Sequence, residues 1–273
     1  MTGRRTALPL LATVVALAAL LTACGGKSGA GSSGTPSPST KIRSLQERCG
    51  TKPSVPADAL TFESGNGARL YGAEMGDGPR GLVLVHQVGS EGMCGWLHGA
   101  EHFAGKGYHV LLFDQVCYGD SACPSGASLA ADVPAAASKL RHLGAASVVA
   151  VGASQGGGVV VVAAAHHPKA FDGVVVLSGQ LDARFSFSAP HTAQDAAPKV
   201  TAPILFAIAR KDDVATVAQT RAVARSTASK HRQVVVLPMT MGHGIDLVTD
   251  IDGKPTRFDR KTLLPFLAER TAA

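Results

Sequence analysis

A serine with a glycine two residues away on each side, Gly152-Ala153-Ser154-Gln155-Gly156, is the pattern in this chain with the clearest chemical potential. A β-branched run, 147–151, leads straight into it, and a small-residue segment, 156–165, leads out. A serine on a sharp strand-to-helix turn is held in a strained backbone conformation with its hydroxyl at the sheet edge. Side chains two residues either side would collide there, hence the glycines. The same turn sets backbone N–H groups of the helix start beside the reacting oxygen, where negative charge would develop. One feature pulls the other way: four consecutive valines, 159–162, are poor helix formers, so packing must hold that helix.

A serine hydroxyl is a poor nucleophile near neutral pH and needs a base. In a doubly wound sheet that base must come from a loop at the C-terminal ends of the strands. Of ten histidines, only His243 sits soon after a late apolar run, 234–237, and Gly242 and Gly244 flank it so that the loop can fold back. The other histidines have milder roles; His166 and His167, for instance, end a helix, where cationic groups suit the dipole. An acid that orients the imidazole and stabilises its cation should follow the preceding strand, 203–209. Arg210-Lys211-Asp212-Asp213 supplies two candidates there, and whichever is not used can cap the helix expected at 214–229.

A second motif, His98-Gly99-Ala100-Glu101-His102, matches the inverted zinc-protease pattern of two histidines one helical turn apart. Such a site needs a further glutamate downstream, and none occurs between Glu101 and Glu269. The residues therefore read as the partly exposed face of a crossover helix, and no metal ligand set is assigned.

The elements that must position these groups are legible as alternation. Short β-branched runs at 60–64, 68–75, 81–86, 108–114, 147–152, 172–178, 203–209 and 232–237 alternate with helical stretches at 96–106, 128–143, 155–166, 214–229 and 259–270. This predicts one α/β domain, a doubly wound and mostly parallel eight-stranded sheet covered on both faces. Gly65-Asn66-Gly67 is a hairpin signal, so the first two strands should be antiparallel. Only about 24 residues, 179–202, separate the sixth and seventh strands, and they include Phe185, Phe187 and Pro190. That insertion is too short for a large hydrophobic lid, which implies a shallow or open site; Met93, Trp96 and Tyr118 are candidates to line it and equally candidates for ordinary packing.

Hydrophobic residues make up 45% of the 273 and charged residues 17%, enough to bury a core and too few charges for wholesale disorder. Setting aside Arg4 and Arg5, 24 basic residues face 20 acidic ones, a net charge of +4. With no Lys/Arg run and no interleaved aromatics, nucleic-acid binding is unsupported. Residues 1–23 read as an export signal: Arg4-Arg5, then an apolar stretch from Leu8 to Leu21 too short for a comfortable span. Leu21-Thr22-Ala23-Cys24 resembles the lipobox of bacterial lipoproteins, which implies acylation of Cys24, membrane anchorage and an extracytoplasmic location. Residues 25–40 are a Gly/Ser/Pro tether, so 24–57 is expected to form the lipidated and tethering segment and 58–273 the folded domain. The four remaining cysteines, Cys49, Cys94, Cys117 and Cys123, suit two disulfides in three alternative pairings.

From about residue 58 to 270 the chain resembles the α/β-hydrolase-fold serine hydrolases, carboxylesterases and dienelactone hydrolases among them. The marks are Leu82-Val83-Leu84-Val85-His86, then Phe113-Asp114 leading to Tyr118-Gly119-Asp120-Ser121, the turn at Ser154, Ala209-Arg210-Lys211-Asp212, and Gly242-His243-Gly244. The resemblance implies hydrolysis of short-to-medium acyl esters by Ser154, His243 and an aspartate, without metal or organic cofactor. Members usually carry glycine three residues before the acid; Ala209 takes that place and points to Asp212 rather than Asp213. By the same analogy the backbone N–H groups of Val88 and Gln155 would form the oxyanion hole. Members usually read His-Gly-x after the third strand, where this chain has His86-Gln87-Val88, so Gln87 should restrict that loop or project a polar group into the pocket. The departure also leaves room for a tethered binding protein without turnover, and the fold itself for haloperoxidase or lyase chemistry.

Overall fold

The structure is a computed structural model and describes residues 42–89, 91–183 and 192–272. The export signal, Cys24 and the tether through Lys41 lie outside the described residues, as do Phe185, Phe187 and Pro190.

Eight strands form one sheet: β1 (Ala57–Glu63), β2 (Arg69–Met75), β3 (Arg80–Val85), β4 (His109–Phe113), β5 (Ser147–Ala153), β6 (Gly173–Leu177), β7 (Ile204–Ala209) and β8 (Arg232–Leu237). Their spatial order is β1-β2-β4-β3-β5-β6-β7-β8. β2 runs antiparallel to both neighbours, in register Ala57↔Met75 and Gly72↔Phe113, and every pairing from β4 to β8 is parallel. The antiparallel start and the parallel remainder are those expected from the hairpin signal and the continuous apolar runs.

The helices are α1 (Leu45–Cys49), α2 (Leu97–Ala104), α3 (Leu129–His142), α4 (Gln155–His166), α5 (Ala193–Ala196), α6 (Val217–Ser226) and α7 (Leu264–Arg270), the last continuing a π-helical turn at Asp259–Leu263. Alternate residues of the central strands feed opposite layers. In β3, Val83 and Val85 pack with Val133 and Leu140 of α3 and the valines of α4, while Leu82 and Leu84 pack with Phe103 of α2 and Leu267 of α7. Both faces are thus covered, as a parallel sheet requires. The four valines of α4 are buried. A helix enclosed by sheet and neighbouring helices is apolar all round, and that burial overrides weak propensity.

Two findings refine the sequence reading. Met93 and Trp96 have no solvent exposure and belong to the core rather than to any pocket lining. The segment before β1 is docked as well: Leu45 is buried, Ser44 and Glu47 close a capping box on α1, and Cys49 is bridged to Cys94. The second disulfide joins Cys117 to Cys123, so one bridge is local and one spans loops.

Candidate active site

Ser154 follows β5 directly and opens α4, with φ 51° and ψ −113°. A non-glycine residue in that region is strained, and the surrounding structure must hold it there. Ser154 N–H donates to Leu177 O at 2.8 Å and Ser154 O accepts from Gln180 N–H at 2.9 Å, so the turn is pinned to the end of β6. Close approach explains the flanking glycines: a Cβ on Gly152 would run into the Gly156 backbone, and one on Gly156 into the carbonyls of Val85 and His86. The serine itself is 3% exposed. The first N–H groups of α4, beginning with Gln155, have no partner within the helix and face the same edge.

Asp212 lies in the loop after β7 and His243 in the loop after β8. Imidazole Nδ1 meets Asp212 Oδ1 at 2.9 Å and Oδ2 at 2.8 Å. A carboxylate only accepts, so Nδ1 carries the shared proton. The Asp212 side chain has no solvent exposure, whereas that of His243 is 25% exposed. Burial pushes the Asp212 carboxyl upward, but the Ala215 N–H bond, the nearby Ser178 hydroxyl, and the bonds from His243 and Val214 N–H outweigh it and hold the group below its usual range. Val214 and Ala215 each donate at 2.9 Å. Asp213 is exposed.

The histidine loop folds back over the serine turn. Gly244, with φ 60°, sits so close that an added Cβ would lie 3.5 Å from Ala153 Cβ and would collide with Gln87 Oε1. That oxygen also accepts from Ile245 N–H at 3.4 Å, so the side chain standing where relatives have glycine bridges the β3 loop to the histidine loop. Among the described residues no hydrogen bond joins the Ser154 hydroxyl to the imidazole.

Val88, 61% exposed, follows β3. Just before it, buried His86 contacts Gln87 O through Nδ1 at 2.7 Å, while its Nε2 accepts from Gln115 N–H at 3.1 Å. Burial lowers the His86 pKa. The ring is therefore neutral, with Nδ1 donating to the Gln87 carbonyl. In a planar trans peptide the C=O and the following N–H point in opposite directions, so anchoring Gln87 O inward turns Val88 N–H outward. Tyr118 stacks edge-on against His86 at 4.8 Å and donates to Gln155 Oε1 at 3.0 Å, linking the end of β3 to the start of α4.

Sequence reasoning missed His86, Ser178 and the Tyr118–Gln155 bond as parts of this site. Ser178 has φ 48°, is fully buried, and its hydroxyl is near enough to influence the Asp212 carboxyl without meeting hydrogen-bond geometry. Nothing in a lone serine after an apolar run announces that. The second motif has other partners: Glu101 accepts from Ser54 N–H at 2.5 Å, and His102 Nε2 meets the buried Asp259 carboxylate at 2.8 Å. A cavity of about 560 Å³ lies at the opposite end of the sheet, against Asp58, Glu74, Gly76 and His109, remote from these groups.

The family described as alpha/beta hydrolase fold matches residues 81–205. Among solved structures, the chain is similar to an esterase of Pyrococcus furiosus, at 14% identity over 81% of this chain and 94% of that one, with a TM-score of 0.65. It is similar to a protein provisionally described as a dienelactone hydrolase of Klebsiella pneumoniae, at 20% identity over 81% and 100% of the two chains and a TM-score of 0.62. A Paleococcus ferrophilus monoacylglycerol lipase aligns at 18% identity over 74% and 98%, with a TM-score of 0.56. No curated protein matches the sequence. At these identities the likeness is one of architecture, and the chain has the α/β-hydrolase fold.

Proposed function

We propose that this protein is a serine hydrolase of carboxylic esters that works through an acyl-enzyme on Ser154. The observation that carries the reading is the buried Asp212 carboxylate on His243 Nδ1, in a loop that lies against the strained serine turn. The esterase and lipase among the fold's neighbours agree with it.

In this reading His243 Nε2 takes the Ser154 proton as the oxygen attacks the ester carbonyl. The carbonyl π bond breaks to an oxyanion, which Val88 N–H and Gln155 N–H receive. His243 then gives the proton to the departing alkoxide as the C–O bond breaks. Water repeats the sequence on the acyl-enzyme, returning the serine and releasing the acid. The reaction closes without a cofactor. The short insertion after β6 fits small to medium acyl groups. The export signal, an acyl anchor on Cys24 and a flexible tether complete the proposal, placing the domain on the outer side of a membrane. Two disulfides fit such an oxidising location.

The test is labelling by a fluorophosphonate probe together with hydrolysis of p-nitrophenyl acetate and butyrate. Wild type should label and turn over, and Ser154→Ala should lose both. Absence of both from folded wild type would favour a tethered binding protein instead. For the anchor, Cys24→Ser should move the protein from the membrane to the soluble fraction; unchanged partitioning would remove Cys24 from the scheme.

A further inference from the structure

We infer that Arg48, in the docked segment that precedes the sheet, is a positioning residue for the oxyanion loop, an inference that rests on the hydrolase reading. Its guanidinium grips Asp114, the first residue after β4, as a fork: Nε to Oδ2 at 2.8 Å and Nη2 to Oδ1 at 2.8 Å. The Arg48 side chain is 11% exposed and that of Asp114 not at all. The pair works outward from there. Arg48 Nη2 also donates to Glu91 O at 3.2 Å, and Nη1 lies 3.4 Å from Cys94 Sγ. Asp114 in turn accepts from Met93 N–H at 3.0 Å and Asp120 N–H at 3.1 Å. The ion pair thus holds the main chain of the β3 loop at Glu91 and Met93 and that of the β4 loop at Asp120.

Val88 lies between two anchors. On its N-terminal side His86 holds Gln87 O. On its C-terminal side a Gly92 N–H to Gly89 O bond at 3.3 Å closes the turn that Arg48 secures at Glu91. The sequence accommodates the pair closely: Gly92 and Gly119 both have positive φ, and a Cβ on either would strike the Asp114 carboxylate. A planar fork fills this geometry, and an ammonium does not, because it is a point donor that cannot span both oxygens and Glu91 O together. Asp114 dominates among the groups around Arg48 and raises its pKa, so the cation is permanent.

The experiment compares Arg48→Lys with wild type in the full, disulfide-intact chain, with Arg43→Met as a control that breaks the exposed pair to Asp120 and the bond to Glu47 O but leaves the Arg48–Asp114 fork in place. Arg48→Lys keeps the charge and so avoids the stranded carboxylate that Arg48→Met would leave. A loosened oxyanion loop should lower kcat for p-nitrophenyl butyrate by about tenfold or more with KM within about twofold, since the donors act on the transition state. Amide hydrogen exchange in peptides covering 87–96 should accelerate by about tenfold while those covering 155–166 stay unchanged. Arg43→Met should match wild type in both. Wild-type kcat in Arg48→Lys, or exchange that rises everywhere alike, would overturn the inference. An inactive wild type would sink the hydrolase reading alone, because loop exchange needs no turnover: local acceleration would still uphold the clamp and unaltered exchange would remove it.

Discussion

At position 212 two opposing effects act on one carboxyl, and the hydrogen bonds win. Burial disfavours its charge, yet Ala215 N–H, the nearby Ser178 hydroxyl, His243 and Val214 N–H hold its pKa below the ordinary 3.8. A depressed folded pKa means stability that is present above the unfolded value and is lost only as pH falls through the folded one. The anion is therefore intact across the range in which an imidazole can act as a base. Asp213, one residue on, is exposed and has no such setting. Asp212→Asn should reduce kcat by about a thousandfold or more, because an amide in that place no longer enforces the Nδ1–H tautomer. Asp213→Asn should stay within about twofold, as exposed substitutions usually do. Steady-state hydrolysis of p-nitrophenyl butyrate by the two variants decides the matter, and equal losses would undo the assignment.

Among the elements, those with strong periodic signals were legible: each expected strand overlaps an observed one, with ends within about three residues, and α4 begins at Gln155 as expected. What the sequence hid is what depends on long-range partners. Five residues of α1 carry no useful period, and their docking rests on Arg48–Asp114 and Cys49–Cys94, contacts across 66 and 45 positions. Trp96 and Met93 stay open in the sequence for the same reason, since a large apolar residue after a loop reads alike whether it faces a pocket or the core, and the structure places both in the core. Asp132 in α3 is a further case. It is fully buried, accepting from Ser64 Oγ at 2.6 Å and Val116 N–H at 2.8 Å, and so fastens α3 to the end of β1 and to the loop after β4. Burial is the dominant influence and pushes its pKa up to about 7 despite those bonds. A raised folded pKa gives stability that is complete below the unfolded 3.8 and is lost as pH climbs through about 7. Asn keeps an acceptor for Val116 and a donor for Ser64 without the charge. Asp132→Asn should therefore gain on wild type between pH 5 and pH 8 by an amount on the order of 1–4 kcal/mol. Urea midpoints of both proteins at the two pH values measure the gain, and a constant difference would show that Asp132 does not titrate there.

Across the whole molecule, one end of the sheet carries Ser154, Asp212 and His243, and a disulfide reaches each of the loops that follow β3 and β4. Cys94 lies beyond the turn that bears Val88, and Cys117 to Cys123 closes the loop that carries Tyr118. Their contributions to stability should differ, because the restriction a cross-link puts on the unfolded chain grows with the logarithm of the loop it closes. Chain entropy alone predicts about 4 kcal/mol for the bridge between residues 45 positions apart and about 2 kcal/mol for the one spanning 6. Docking widens the gap: without Cys49–Cys94, α1 is held by Leu45 and the Arg48–Asp114 pair, with no covalent tie to the β3 loop. The local bridge has the opposite character, securing Cys117 at φ 68° beside the site while adding less to global stability. Cys49→Ser/Cys94→Ser should therefore lower the denaturant midpoint more than Cys117→Ser/Cys123→Ser, by a difference equivalent to about 2 kcal/mol. The reverse order in equilibrium unfolding would mean that α1 is not part of the cooperative unit, and that the stable domain begins at β1.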